Sequence, residues 1–364
     1  MKLIHIIAGA RPNFMKIAPI LRAAKNYEDQ ITCLVVHTGQ HYDEAMSDVF
    51  FDELGIPEPD HHLGWGGGSH AEQTAKIMVA YEKLCIEEQP DVLLVVGDVN
   101  STLACSIVAT KLHVPVAHVE AGLRSGDREM PEEINRLVTD AISSWYFVTE
   151  PSGVEHLRNE GKPEESIHHV GHVMVDNVMY QRAILDREPR KNSPAAGFKK
   201  QHPRYGVMTM HRPSNVDDKE LFSALADALK KIAEDLPLIF PVHPRTLQNM
   251  EKFGIDLGPN VELLPPLCYM DFLDAWKDAA LVLTDSGGLQ EETTALGIPC
   301  LTLRENTERP ITIDEGTNIL AGTDPAVVLE EAQKVIQDGG KQGRSPALWD
   351  GNAAERIIEI LINS

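Results

Sequence analysis

The sequence predicts an α/β protein of two domains, each a parallel sheet covered by helices, and three observations carry the prediction. Short apolar runs alternate with longer segments of helical pattern throughout the chain, the order expected of β-α-β units. At 364 residues the chain is longer than one ordinary hydrophobic core supports. A polar, proline-containing stretch at 186–204, "DREPRKNSPAAGFKKQHPR", separates halves that are alike in plan though not in sequence. It reads as a linker or a loosely packed helix.

In the first half the strand candidates are 3–8, 31–37, 92–96, 114–119 and 145–148, near-continuous apolar runs of the kind buried on both faces of a sheet. Helical candidates at 14–25, 71–88, 102–112 and 132–142 lie among them. The second half has strand candidates at 205–210, 238–242, 261–264, 281–284 and 300–303, with helical candidates at 219–233, 270–278 and 289–295. Ligands of open α/β sheets bind beyond the carboxyl ends of the strands. Those ends are where polar and glycine-rich residues pool: Gly9-Ala10-Arg11-Pro12, Thr38-Gly39-Gln40-His41, Gly97-Asp98, Glu120-Ala121-Gly122, Thr149-Glu150, His211-Arg212, His243-Pro244-Arg245, Asp285-Ser286-Gly287-Gly288 and the run from Arg304 to Arg309. Such tails on two facing domains describe a cleft.

Bulk composition excludes several function classes. Apolar content of 43% is ordinary for a globular protein and too high for disorder. The net charge of -22, from 55 acidic and 33 basic residues, repels nucleic-acid backbones and anionic membranes. An anionic ligand therefore needs locally concentrated cations. Cys33, Cys85, Cys105, Cys268 and Cys300 form no CxxC pair and fit a reducing compartment. The apolar run of "MKLIHIIAGARPNF" is too short for a secretory leader, and no run reaches transmembrane length, so the cytoplasm is the expected location.

Three constellations carry chemistry. Gly9 to Pro12 opens a helix with Lys16 one turn in. The free N–H groups of a helix start, the glycine, and the charges of Arg11 and Lys16 suit a phosphate. A plain strand-to-helix turn has the same pattern, and neither the dinucleotide fingerprint nor a P-loop is present. "TDSGGLQEE" at 284–292 is more specific. Ser286 can cap, the Gly287 and Gly288 amides can approach a phosphate, and Glu291 or Glu292 offers two oxygens to ribose hydroxyls. An N-capped helix with early acidic residues is the plainer alternative.

The third is "HVEAGLRSGDREMPEEINR" at 118–136. Glu120 ends one strand and Asp98 ends its neighbour. Pro131 opens a helix on which Glu132 and Arg136 share a face. A wet, salt-bridged helix accounts for Glu129 and Glu133, whereas Asp98, Glu120 and Glu132 read as a proton-transfer cluster. His211 and His243 follow strands at equivalent positions and read as functional. No HExxH occurs, and His61-His62 has no evident partner ligands, so no metal is expected. "GWGGGSH" at 64–70 is either a lid or a surface linker.

Together these residues resemble the non-hydrolysing UDP-N-acetylglucosamine 2-epimerases along essentially the whole chain. The motifs are "GARPNFMKIAP", "HTGQH", "GDVNSTLA", the 118–136 stretch, "MTMHRP" and "LTDSGGLQEETTALGIPCLTLRENTERP". The resemblance implies two Rossmann-like domains facing a cleft, of glycosyltransferase-B type. The first would be 1–172 plus a C-terminal helix at about 353–364, and the second, UDP-binding, 173–352. It implies reversible inversion of C2 of UDP-GlcNAc, giving UDP-ManNAc, by eliminating UDP to 2-acetamidoglucal and adding it back. No cofactor is implied, and a homodimer is. Carried over by position, the acid/base and supporting groups are Asp98, Glu120, Glu132 and His211, with the base itself left open among the carboxylates. UDP-sugar contacts are Arg11, Lys16, Gln40, His41, Arg212, His243, Ser286, Gly287, Gly288, Glu292 and Arg309. The chain departs from the family pattern at Ser214-Asn215, where Glu-Asn is common, and at Pro244-Arg245, where Asn-Pro is common. "GARPNF" and "MPEEINR" also resemble relatives acting on a UDP-diacetamido-uronic acid. A glycosyltransferase sharing the fold is a further alternative.

Overall fold

The computed structural model describes residues 1–39 and 53–364. It divides into two compact units, Met1–Asn177 with Ala347–Ser364, and Val178–Pro346. In the first, strands Lys2–Ala8 (β1), Ile31–His37 (β2), His61–His62 (β3), Val92–Val96 (β4), Val116–Val119 (β5), Trp145–Val148 (β6) and Ile167–His169 (β7) form one sheet in the order β3-β2-β1-β4-β5-β6-β7. In the second, Gly206–Thr209 (β8), Leu238–Pro241 (β9), Val261–Leu264 (β10), Leu281–Thr284 (β11), Cys300–Thr302 (β12) and Asn318–Leu320 (β13) are ordered β10-β9-β8-β11-β12-β13. The strand pairings within both sheets are parallel.

Each unit is therefore Rossmann-like, as expected. The strand order reverses between β1 and β4, and again between β8 and β11. A crevice opens at the carboxyl ends of the strands on either side of such a reversal. The four tails at these two points are Gly9–Lys16, Gly97–Asp98, His211–Arg212 and Asp285–Gly288.

The apolar runs are explained by burial on both faces. Along β11, Leu281 and Leu283 enter a cluster with Phe222, Leu225 and Phe240, while Val282 enters another with Ile239, Leu273 and Trp276. Successive side chains of a strand point to opposite faces, so both sets must be apolar. The ten predicted strands each coincide with an observed one. β3, β7 and β13 were not predicted, because sequences of two or three residues such as "HH", "IHH" and "NIL" show no period.

The stretch 186–204 is not a linker. Ser193 Oγ donates to Asp274 at 2.9 Å, Lys199 Nζ donates to the Asp274 carbonyl at 2.6 Å, Ala195 is fully buried, and Phe198 meets the Tyr205 ring edge-on. It is a mostly exposed part of the second unit, pinned by the buried Ser193 and Ala195 and carrying the short helix Ala196–Gln201 that the second of the two readings allowed, and the division between units falls inside the helix Val173–Arg187. Among the described residues no helix is long and apolar enough to cross a membrane.

The last helix, Ala353–Asn363, packs on the helix Arg11–Ala24 of the first unit. Its own N-cap residue, Asn352, makes no side-chain cap. Asp176 supplies one from outside, accepting from the amides of Ala353 at 3.2 Å and Ala354 at 2.7 Å. Burial pushes the Asp176 carboxyl up to about 6, with the two amides pulling the other way. A folded-state value above the ordinary 3.8 means that this group's stabilising contribution is present below that value and is lost as pH rises through about 6. Asp176→Asn cannot titrate. Its urea-unfolding free energy should gain on the wild type by about 2–3 kcal/mol between pH 4 and pH 7, since each tenfold change in a protonation equilibrium is worth ~1.4 kcal/mol.

Candidate functional site

In the first unit the site is built on the tails of β1, β4 and β5. Asn13, at the third position of its helix, accepts from the amides of Gly9 at 3.0 Å and Ala10 at 2.9 Å, and its own amide donates to the Val96 carbonyl at 3.3 Å. The β1 turn is thus pinned to β4. One turn further, Lys16 places Nζ 2.6 Å from Glu120 Oε2. Glu120 is 5% exposed and has φ +69°, the left-handed region that a residue with a Cβ rarely enters. Such a backbone costs about 1–3 kcal/mol and persists only where its surroundings impose it. Here the amides of Glu120 and Ala121 both donate to the Phe147 carbonyl, at 3.0 and 3.2 Å. Gly97 also has positive φ, and a Cβ there would meet Lys16 Nζ at 2.9 Å, displacing it from Glu120.

Asp98, half-buried, accepts from Arg136 Nη1 at 2.7 Å, and Asn135 donates to its backbone carbonyl at 2.8 Å. Arg136 is held in turn by Glu133, 3.1 Å from its Nε. Burial pushes the Glu133 carboxyl up, but the amides of Ser125 and Gly126 together with Arg136 outweigh it and hold it below its ordinary value. Glu133 is therefore a support, salt-bridged as the sequence implied but buried rather than on a wet face. Glu132 is half-buried on the same helix, one turn before Arg136. Gln40 and His41 lie outside the described residues, as does the side chain of Arg11. The loop at 64–70 is anchored: the Trp65 amide donates to the Thr38 carbonyl at 2.8 Å, Ser69 caps the helix His70–Glu88, and His70 bonds Asn100.

In the second unit a pocket of about 280 Å³ lies at the β8/β11 tails. His211, His243 and Ser286 line one part of it, and Pro266, Leu267, Phe272 and Leu289 form apolar walls. Asp285, fully buried, organises the polar part. It accepts from the amides of His211 and Arg212, each at 2.8 Å, and from Asn215 at 3.2 Å, and its Oδ1 lies 2.8 Å from the His211 ring Nδ1. Burial pushes Asp285 up, but His211 and the two amides prevail and keep it below the usual carboxylate range. With Nδ1 engaged, His211 presents Nε2. His243 accepts the Arg245 amide at 3.2 Å and so also turns its other nitrogen outward. Arg212 lays Nε against the Asp285 carbonyl at 3.0 Å.

The helix Gly287–Leu296 starts beside these groups. Ser286 stands at its N-cap position but makes no side-chain cap, contrary to expectation, so its hydroxyl is left to the pocket. A Cβ at Gly287 or Gly288 would meet nothing within 4 Å, which leaves open space at the first amides of the helix. Glu292 is buried and accepts from Tyr269 Oη at 3.2 Å. Glu291 is ion-paired with Arg309, which places Arg309 against the helix.

Sequence reasoning missed Asp285, although it ends a strand just as Asp98 does. It also missed Tyr269, the Pro266–Leu267–Phe272 wall, and the pairing of Arg304 with Glu308 at 2.7 and 2.9 Å. Among the described residues no three His, Cys, Asp or Glu side chains are grouped to hold a metal ion.

The family model described as UDP-N-acetylglucosamine 2-epimerase matches residues 23–362. This chain belongs to the UDP-N-acetylglucosamine 2-epimerase family. The chain is 39% identical to the UDP-N-acetylglucosamine 2-epimerase of Methanococcus maripaludis, over 98% of each chain. It is 38% identical to the UDP-2,3-diacetamido-2,3-dideoxy-D-glucuronate 2-epimerase of Pseudomonas aeruginosa, over 99% of each. Its structure is similar to that of the Methanocaldococcus jannaschii UDP-GlcNAc 2-epimerase in complex with UDP-GlcNAc and UDP, with a TM-score of 0.83 at 40% identity and full coverage of both chains. Where this member of the family carries Ser214-Asn215, Asn215 bridges Asp285 and the Leu303 carbonyl, and Arg245 of Pro244-Arg245 holds Asp217 through Nε at 2.9 Å.

Glu308 tests how this unit tolerates its paired charges. Burial pushes its carboxyl up, yet Arg304 overrides that and brings it down to about 2. A depressed carboxyl stabilises above its ordinary value and loses that contribution as pH falls toward about 2. Glu308→Gln leaves the 6%-exposed Arg304 uncompensated. It should cost about 2–4 kcal/mol in urea unfolding at pH 7, less than a fully buried pair because Glu308 is partly wet, and progressively less as pH drops below about 4.

Proposed function

We propose that the protein interconverts UDP-GlcNAc and UDP-ManNAc by reversible inversion at C2, eliminating UDP to 2-acetamidoglucal and adding it back. The observation that carries this reading is the 39% identity, over 98% of both chains, to a relative of that name. C2 has no adjacent carbonyl, so its proton cannot be removed as from an enolisable ketone. In the elimination a base takes that proton, its electron pair forms the C1–C2 double bond, and the C1–O bond breaks with its pair leaving on the β-phosphate. In the reverse step the phosphate oxygen bonds C1 and a proton is delivered to the other face of C2. The reaction thus needs proton-transfer groups at C2 and fixed dipoles and cations for the developing phosphate charge.

Asp98, Glu120 and Glu132 are the proton-transfer candidates, with His211 supporting, held by Asp285. The Gly287 and Gly288 amides, Ser286, Arg212, His243, Lys16, Arg11 and Arg309 serve the phosphates, Gln40 and His41 the sugar nucleotide, and Glu292 the ribose. The apolar walls of Pro266, Leu267 and Phe272 suit a flat base. We assign the reaction to the cytoplasm on the strength of five cysteines that form no disulfide, and we expect a homodimer.

The test is NMR of UDP-GlcNAc with the protein in D2O. UDP-ManNAc bearing deuterium at C2 is the expected product. Free ManNAc with UDP would show hydrolysis instead, and unchanged substrate would overturn the assignment. The Pseudomonas aeruginosa relative motivates one alternative, and turnover of a UDP-diacetamido-uronic acid alone would favour it.

Gly288→Ala offers an independent check on the nucleotide site. A Cβ there meets no protein atom, so thermal stability should hold or rise slightly, by up to about 1 kcal/mol for Gly replaced by Ala in a helix. UDP affinity by calorimetry should fall at least about tenfold, the equivalent of ~1.4 kcal/mol, as the methyl fills the phosphate's space.

A further inference from the structure

The mechanism uses none of the buried groups beneath the β4 and β5 tails. His118 is fully buried in β5, paired in the sheet with Val95 and Tyr146. Its Nδ1 lies 2.6 Å from Asp140 Oδ1 and its Nε2 lies 2.9 Å from the Gly97 carbonyl oxygen. Asp140, also fully buried, uses its other oxygen to accept the Gly122 amide at 3.0 Å and Arg124 Nη1 at 2.8 Å. Arg124 is anchored outside by Glu160, with both contacts at 2.8 Å.

We propose that His118 and Asp140 are a positioning pair for the C2 chemistry, a dry hydrogen-bonded link that fixes the turns presenting Asp98 and Glu120. The proposal rests on reading those carboxylates as proton-transfer groups. The His118 ring thus spans the Asp140 carboxyl and the Gly97 carbonyl, one on each nitrogen. On one side the ring holds the carbonyl of Gly97, the residue before Asp98. On the other, through Asp140, it holds the amide of Gly122, two residues after Glu120 and at φ +79°. A Cβ at Gly122 would meet the Gly153 carbonyl oxygen at 2.4 Å, so this turn is packed from the far side as well. Asp140 also lies on the helix Pro131–Ile142 that carries Glu132 and Arg136, and Arg136 grips Asp98. One pair of side chains therefore joins the supports of all three acids.

Burial pushes the Asp140 carboxyl up, and His118, Arg124 and the Gly122 amide outweigh it. A buried polar pair is weak evidence for a stability role, since apolar residues of equal volume serve as well. Its distinctive capacity is directional. It sets where a carbonyl and an amide point, and a site loosened by about 1 Å loses on the order of 100-fold in rate.

The experiment compares wild type, Asp140→Asn and the milder Arg124→Gln as full-length proteins. It measures melting temperature, UDP affinity, kcat and KM for UDP-GlcNAc, and the primary isotope effect with substrate deuterated at C2. In Asp140→Asn, kcat should fall about 100-fold with KM and UDP affinity within a few-fold of wild type. The isotope effect should rise as proton transfer becomes limiting. Arg124→Gln, which loosens Asp140 from outside the core, should show the same split with a smaller loss. If Asp140→Asn fails to fold, Arg124→Gln alone decides. A lowered melting temperature with wild-type kcat and isotope effect would make the pair purely structural and overturn the proposal. Wild type inactive on UDP-GlcNAc in the same assay would overturn the functional reading and this proposal with it, an outcome distinct from active wild type with unaffected variants.

Discussion

A parallel sheet covered by helices on both faces leaves little room for polar side chains along its strands, and both units gather most of theirs at the strand ends, the buried His118 of β5 being held by its partners Asp140 and Gly97. The faces of β11 send Leu281 and Leu283 into one apolar cluster and Val282 into another. Polar chemistry begins at the strand's end, with Asp285. The same holds where β4 gives way to Gly97 and Asp98, and β5 to Glu120. The reversal of strand order then separates neighbouring tails and opens space beside them. The pocket at the β8/β11 tails is the direct product of that topology.

A chain with a net charge of -22 must manage its cations carefully to bind an anion. Here they are matched with carboxylates: Lys16 with Glu120, Arg136 with Asp98 and Glu133, Arg304 with Glu308, and Arg309 with Glu291. For Glu133 and Glu308 the pairing helps keep the carboxyl below its ordinary value against burial. The directions found for Glu133, Glu308 and Asp285 share that balance, with burial opposed and overcome by partners and amides. Asp176 shows the opposite result, since its burial outweighs two amides and the nearby His172.

The acids also depend on backbone that is not at rest. Glu120 occupies a left-handed conformation imposed by the Phe147 carbonyl and by the turn through Gly122. Strain of that kind survives only in a rigid surround. Lys16, Asn13 and the Asp140–His118 link supply it. In the second unit Asp285 does comparable work, accepting two consecutive amides at the His211 turn and standing 2.8 Å from the ring Nδ1 of His211.

The sequence by itself determined the α/β class, ten of the strands, and which tails would carry polar groups, because apolar periodicity and turn residues are local signals. It marked Asp98, Glu120, Glu132 and the "TDSGG" turn by their place at strand ends and helix starts. Tertiary structure alone decided who partners whom. Lys16 meets Glu120 across 104 residues and His211 meets Asp285 across 74, distances no local pattern encodes. It also decided that Ser286 does not cap, that 186–204 packs into the second unit rather than linking the two, and that β3, β7 and β13 exist at all. Those outcomes follow from sheet order and packing, which bring chain-distant atoms to hydrogen-bonding distance and leave no trace in the spacing of neighbours.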